Sequence, residues 1–153
     1  MITSNGWFGA WGGLLATVKW SIGLKRSLYN DKPEGLKQLY NIAICSLILL
    51  FASIPPLVQK SENYGGAGLA IAGSAITLIA CAYMVTMYSD IPRTMMKITV
   101  LLLFVLWACV AGVTTFHGPF LVTNNGFFAA WLGCLSALNL MVLEMKDSSP
   151  EHV

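Results

Sequence analysis

The chain has 153 residues, of which 56% are hydrophobic and only 10% are charged, and its formal net charge is +2. Because a soluble globular domain usually contains about 25% charged residues, this composition excludes an ordinary soluble fold and predicts an integral membrane protein. The small net charge gives no reason to expect nucleic acid as a partner.

Five apolar segments are each about 20 residues long, the length that a helix needs to cross the hydrocarbon core of a bilayer. The predicted fold is therefore all-α, a single domain formed by a bundle of five transmembrane helices. In chain order, the predicted spans are 6–24, 36–57, 65–88, 95–116 and 126–145.

The first span begins with a sequence that returns at the start of the fifth. At an offset of 120, residues 3–15 match residues 123–135 at eight of thirteen positions. Both segments place small residues at intervals of three or four, which gives a smooth helix face where two backbones can approach closely. These residues are Gly6, Gly9, Gly13 and Ala16 in the first span and Gly126, Ala129, Gly133 and Ser136 in the fifth. Two interpretations are open: the faces pack within one bundle, or they bind another copy of the protein.

Lys19 is the only basic residue well inside a predicted span. It lies five residues before Leu24. At about 1.5 Å per residue, its side chain can therefore extend to the cytoplasmic headgroups. Asn139 is its equivalent in the fifth span, so a hydrogen bond between these two positions, within or between subunits, is the alternative.

The ends of the spans contain residues suited to the membrane boundary. Three asparagines can accept hydrogen bonds from unpaired backbone N–H groups at helix starts, and four aromatic residues can anchor at the interface. The predicted caps are Asn5, Asn63 and Asn125, and the predicted anchors are Trp7, Trp11, Phe128 and Trp131.

The second, third and fourth spans differ in amino-acid composition. The second is aliphatic until Pro55 and Pro56, which remove backbone donors and predict a bend or an end there. The third has a similar but less regular pattern of small residues near its start, formed by Gly66, Ala70 and Ser74. The fourth contains ITVLLLFVLWACV, which is typical of a lipid-facing or bundle-filling helix.

The basic residues predict the orientation of the bundle. Eight of the nine lie on one side of the predicted membrane, and only Lys60 lies on the other. Because cytoplasmic loops carry an excess of Lys and Arg, the N-terminus is predicted outside or in a lumen and the C-terminus in the cytoplasm.

No residue pattern predicts catalysis, a metal site or a cofactor. The cysteines, one in each of the last four spans, form no CxxC motif and are interpreted as small apolar fillers. His117 and His152 lie outside the spans, which leaves no intramembrane set for zinc or haem. The sequence predicts that the protein is not an enzyme.

Together these features predict a structural multi-pass membrane protein that self-associates laterally through small-residue helix faces. The resulting oligomer, array or polymer would organise or shape the membrane, with the lipid bilayer and other copies of the chain as partners. Two alternatives stay open: an accessory subunit of a larger respiratory or photosynthetic complex, bound to other membrane subunits, or a small oligomeric channel. The sequence does not indicate which membrane contains the protein.

Overall fold

A computed structural model describes residues 33–58, 64–121 and 124–146 of the chain, and these residues form four α-helices. In chain order the helices are α1 (Glu34–Val58), α2 (Tyr64–Thr86), α3 (Arg93–Phe116) and α4 (Asn125–Lys146). Each is long and apolar enough to cross a membrane. The four helices correspond to the second to fifth predicted spans, whereas the first predicted span, 6–24, lies outside the described residues.

The helix boundaries differ from the predicted ones by only one or two residues. The longest extensions are at the starts of α1 and α3, which each begin two residues earlier than predicted. Glu34 is favoured in the first turn of α1 because a carboxylate interacts well with the positive end of the helix dipole, and it also pairs with Lys37 at 2.5 Å. α1 continues through Pro55 and Pro56 and ends at Val58.

The helices form a ring in which each contacts two others. α1 packs against α2 and α4, and α3 packs against α2 and α4, while the diagonal pairs α1–α3 and α2–α4 do not pack against each other. Neighbouring helices run in opposite directions, since Gly35 at the start of α1 approaches both Tyr88 and Glu144, which follow α2 and end α4 respectively. The described part is therefore an up-down four-helix arrangement.

The two ends of this bundle differ in charge. One end, which we call the charged end, contains every Lys, Arg, Asp and Glu of the described residues. These are Glu34, Lys37, Asp90, Arg93, Lys97, Glu144 and Lys146. The opposite end, which we call the Phe120 end, is formed by the start of α2, the α3–α4 loop and the start of α4.

The interior is apolar, and most of its hydroxyl groups bond locally. Ser46, Ser53, Thr114 and Thr115 each donate to a backbone carbonyl one turn earlier, at 2.6–2.8 Å. Such bonds allow hydroxyl side chains to sit inside a membrane bundle without a partner on another helix. The buried Ser74 Oγ, Thr77 Oγ1 and Trp107 Nε1 have no such bond to any described residue.

The outer surface is covered by large apolar side chains on all four helices. Phe51, Ile79, Leu102 and Leu132 are each more than half exposed. In water such a surface would drive aggregation, but it matches hydrocarbon. The surface and the helix lengths agree in describing a membrane protein.

Candidate functional site

The small-residue face of the fifth predicted span points into the bundle. Gly126, Ala129 and Gly133 on α4 are buried, and Ser136 is half-buried. Ala130 and Ala137, beside this face, are fully buried as well. The predicted face therefore packs against other parts of the same chain.

Trp107 of α3 fills the space beside Gly133. The indole is 2% exposed, and a Cβ atom added at Gly133 would overlap its six-membered ring. Because Gly133 has no side chain, the ring of Trp107, the largest side chain in the described core, occupies the space beside it. This contact fixes how closely α3 and α4 approach each other.

Phe120 fills the equivalent space beside Gly126, about two turns nearer the Phe120 end. The ring belongs to the loop between α3 and α4, is 2% exposed, and would overlap a Cβ atom at Gly126. The loop turns inward after Gly118, whose φ of 96° is one that L side chains rarely adopt. The Phe120 N–H then donates to the Thr114 carbonyl at 2.8 Å, which holds the ring inside.

The small residues of α2 that the sequence analysis singled out also face inward. Gly66 lies against the carbonyl of Gly118, where a Cβ would overlap backbone atoms. Ala70 and Ser74 are fully buried. Between them, a Cβ at Gly73 would lie only 2.7 Å from Val110 Cγ2 of α3.

These contacts favour packing within one bundle for two of the four small residues on α4. Gly126 already lies against Phe120 and Gly133 against Trp107 of the same chain, so another copy could reach these two glycines only by displacing the rings. The matching residues of the first predicted span, Gly6, Gly9, Gly13 and Ala16, lie outside the described residues, and for them both interpretations stay open.

The helix cap at α4 is one residue earlier than predicted. Asn124 Oδ1 accepts from the Phe127 N–H at 2.9 Å, and the Asn124 carbonyl accepts from the Phe128 N–H at 3.1 Å. This is the geometry of an N-cap residue, and Asn125 is the first residue of the helix. Two adjacent asparagines made the sequence ambiguous. Asn5 and Asn63 lie outside the described residues.

The aromatic residues predicted as anchors on α4 lie near its start. Phe128 is 48% exposed and Trp131 is half-buried against the core. The Phe128 ring packs edge-to-face on Phe127, with centroids 5.8 Å apart. Trp7 and Trp11 lie outside the part of the chain that the structure describes, and anchoring at an interface stays a prediction for all four.

The polar position Asn139 is exposed on the outer surface of α4. Its predicted partner Lys19 lies outside the described residues, so the hydrogen bond between them stays a prediction. Because Asn139 is exposed, its side chain does not pack in the interior of the four-helix ring.

Three glycines, one exposed and two half-buried, have open space where a side chain would point. A Cβ added at Gly65, Gly68 or Gly112 would meet nothing within 4 Å. On α2, Gly65 and Gly68 are followed on the same face by Ala72, which is exposed. This outward surface, Gly65–Gly68–Ala72, is called the α2 outer face. In the sequence these residues alternate with the inward-facing Gly66, Ala70 and Ser74, and the two sets lie on different sides of α2 because adjacent residues on a helix point about 100° apart.

A polar cavity opens at the charged end between the α2–α3 turn, the start of α3 and the end of α4. It has a volume of about 250 Å³ and is lined by Tyr88, Ser89, Ile91, Arg93, Met96, Lys97 and Glu144. Tyr88 donates its hydroxyl to Glu144 Oε1 at 3.0 Å. Sequence reasoning missed this cavity, since Glu144 is distant in sequence from the other lining residues, which all lie within 88–97.

The remaining candidates for chemistry are dispersed. Cys45, Cys81 and Cys134 are buried and Cys109 is exposed, and all four are free thiols. Within residues 33–58, 64–121 and 124–146, no group of His, Cys, Asp and Glu could hold a metal ion. His117 is exposed at the Phe120 end.

No protein-family model, curated protein or solved structure matches the chain.

Proposed function

We propose that the protein is a structural multi-pass membrane protein whose copies associate laterally and thereby organise the bilayer around them. The observation that supports this most is the α2 outer face. Helix association in lipid depends on close van der Waals packing, which small residues permit. Gly65 and Gly68 offer such a surface, because a Cβ added at either position would meet no described atom within 4 Å.

The shape of α2 suggests how two copies would meet. Toward the charged end, the same side of the helix carries Ile76, Ile79 and Tyr83, which are 57%, 72% and 61% exposed. Two copies inserted in the same direction could approach closely at Gly65 and Gly68 and would diverge where the side chains become large. This contact uses the same surface on both copies, so by itself it makes a dimer.

A larger assembly needs a second contact, because a two-fold contact closes on itself. The predicted face formed by Gly6, Gly9, Gly13 and Ala16 is our candidate for it. With both contacts in use, the dimers would join into an array or polymer.

The proposal includes a topology of five spans with the N-terminus outside or in a lumen and the C-terminus in the cytoplasm. It is supported by the position of the basic residues, since Lys37, Arg93, Lys97 and Lys146 all lie at the charged end. An excess of Lys and Arg marks the cytoplasmic side of membrane proteins.

The test compares three glycine-to-leucine variants in the full chain. We expect Gly68→Leu to abolish pairing, measured by energy transfer between labelled copies in lipid vesicles. Gly112→Leu is the matched control, because a Cβ there also meets nothing, and it should leave pairing intact. Gly133→Leu should instead disturb the fold of each copy. Unchanged pairing in Gly68→Leu would refute the α2 outer face as the contact.

Gentle extraction and mass measurement give a second readout. Complexes containing only copies of this chain would support the proposal. If different membrane proteins co-purify with this chain in a fixed ratio, the proposal is refuted and the chain is an accessory subunit of a larger complex.

A further inference from the structure

We propose that the cavity at the charged end binds the phosphate of an anionic lipid headgroup. The cavity holds about 250 Å³ and is lined by two cations, Arg93 and Lys97, together with the polar groups of Tyr88 and Ser89. Neither cation forms an ion pair with any described carboxylate. A pocket that collects positive charge beside a membrane-spanning helix is suited to an anionic headgroup.

The spacing of the two cations fits one phosphate between them. They are four residues apart on α3, which places both side chains on one side of the helix, about 6 Å apart along its axis at 1.5 Å per residue. Arg93 can bind two phosphate oxygens through its planar guanidinium, and Lys97 can neutralise charge from the other side. Arg93 is exposed and Lys97 is half-buried, so the cation pair extends from the surface into the cavity.

The charge of the cavity suggests a group with a single negative charge. Among the described residues that line the cavity, Arg93 and Lys97 contribute two positive charges and Glu144 contributes one negative charge, so their formal sum is +1. The Tyr88 hydroxyl already donates to Glu144 Oε1 at 3.0 Å, which directs one carboxylate oxygen toward the α2–α3 turn. A phosphodiester headgroup carries one negative charge and would balance the cavity.

The position in the bundle favours a lipid over a soluble phosphate. Arg93 is the first residue of α3, and α4 ends at Lys146, so the cavity lies where the apolar spans begin. Met96 and Ile91 add apolar lining, and Met95 and Ile98, on the neighbouring outer surface of α3, are 60% and 49% exposed. A headgroup in the cavity would thus leave its acyl chains against an apolar helix surface.

The experiment measures lipid retention by the purified full chain in detergent by native mass spectrometry. Phosphatidylglycerol, phosphatidylcholine and inorganic phosphate are the three probes. We expect phosphatidylglycerol to bind and the other two to bind at least tenfold more weakly. Arg93→Gln and Lys97→Gln should each weaken phosphatidylglycerol binding roughly fivefold, and the double variant roughly thirtyfold.

Lys146→Gln is the matched control, because it removes a positive charge at the same end without lining the cavity, and it should keep wild-type affinity. Circular dichroism shows whether the variants remain helical, and Lys97→Arg, which retains the charge, should bind like the wild type. Equal losses in Lys146→Gln, unchanged binding in the double variant, or equally tight binding of inorganic phosphate would each overturn the proposal. None of these outcomes depends on self-association through α2.

Discussion

Trp107 of α3 occupies the space that a side chain at Gly133 of α4 would fill. The indole is 2% exposed. The largest side chain of the described core therefore packs against a helix residue that has no side chain. The same arrangement recurs about two turns nearer the Phe120 end, where Phe120 lies against Gly126. Two aromatic rings and two glycines therefore define the α3–α4 side of the bundle.

The contact between Trp107 and Gly133 predicts that even one added methyl group is destabilising. We expect Gly133→Ala to lower the free energy of unfolding by about 1–3 kcal/mol, because the new Cβ overlaps a ring that is packed on all sides. Unfolding in detergent, followed by tryptophan fluorescence, measures the change. Gly112→Ala is the control and should change stability little, since a Cβ there meets nothing.

A double-mutant cycle tests whether the two residues act together. If the overlap is the cause, Trp107→Leu should reduce the cost of Gly133→Ala, because the smaller side chain leaves room for the methyl group. Additive losses in the double variant would contradict this explanation of the Gly133 position.

Phe120 predicts a second loss of stability, this time from a loop residue. We expect Phe120→Ala to lower the free energy of unfolding by about 3–5 kcal/mol, the usual cost of truncating a buried aromatic ring. Leu121 is the control: it is adjacent but 60% exposed, so Leu121→Ala should have a small effect. Thermal unfolding of both variants in the same detergent is the measurement.

Alanine substitution of the two adjacent asparagines at the start of α4 should lower the free energy of unfolding by very different amounts. Asn124→Ala should cost about 1 kcal/mol, because it removes the side-chain acceptor of the Phe127 N–H. Asn125→Ala should cost little, since no described hydrogen bond depends on that side chain. Equal effects of the two substitutions on the unfolding midpoint would show that Asn124 is not the functional cap.

The proposed topology predicts opposite labelling at the two ends of the bundle. In a cysteine-free background, His117→Cys should react with a membrane-impermeant maleimide added from outside intact cells. Lys146→Cys should react only after the membrane is opened, because it lies at the charged end, which the excess of basic residues assigns to the cytoplasm. The reverse pattern would invert the topology.

Sequence reasoning anticipated the membrane helices better than their contacts. It located α1–α4 to within two residues, and it singled out the small residues on α4 as a face for packing or assembly. It did not predict that Trp107 and Phe120 would occupy that face, because a bulky residue in an apolar run can equally contact lipid or a neighbouring helix. It also missed the cavity at the charged end, because Glu144 is distant in sequence from the other lining residues, which fall within 88–97, and meets them only after α4 packs against α3.

The sequence by itself determined that four of its segments are membrane-length helices and that charge gathers at one end. Length, hydropathy and charge are properties of each segment alone, so no neighbour is needed to read them. Only the tertiary structure decided which side of each helix faces inward. Gly66 and Gly68 are two residues apart, yet Gly66 lies against the Gly118 carbonyl while Gly68 faces outward. In a membrane protein the lipid and the protein core are equally apolar, so the hydrophobic pattern of a helix does not distinguish its lipid-facing side from its inward side. Only the contacts between the helices distinguish them.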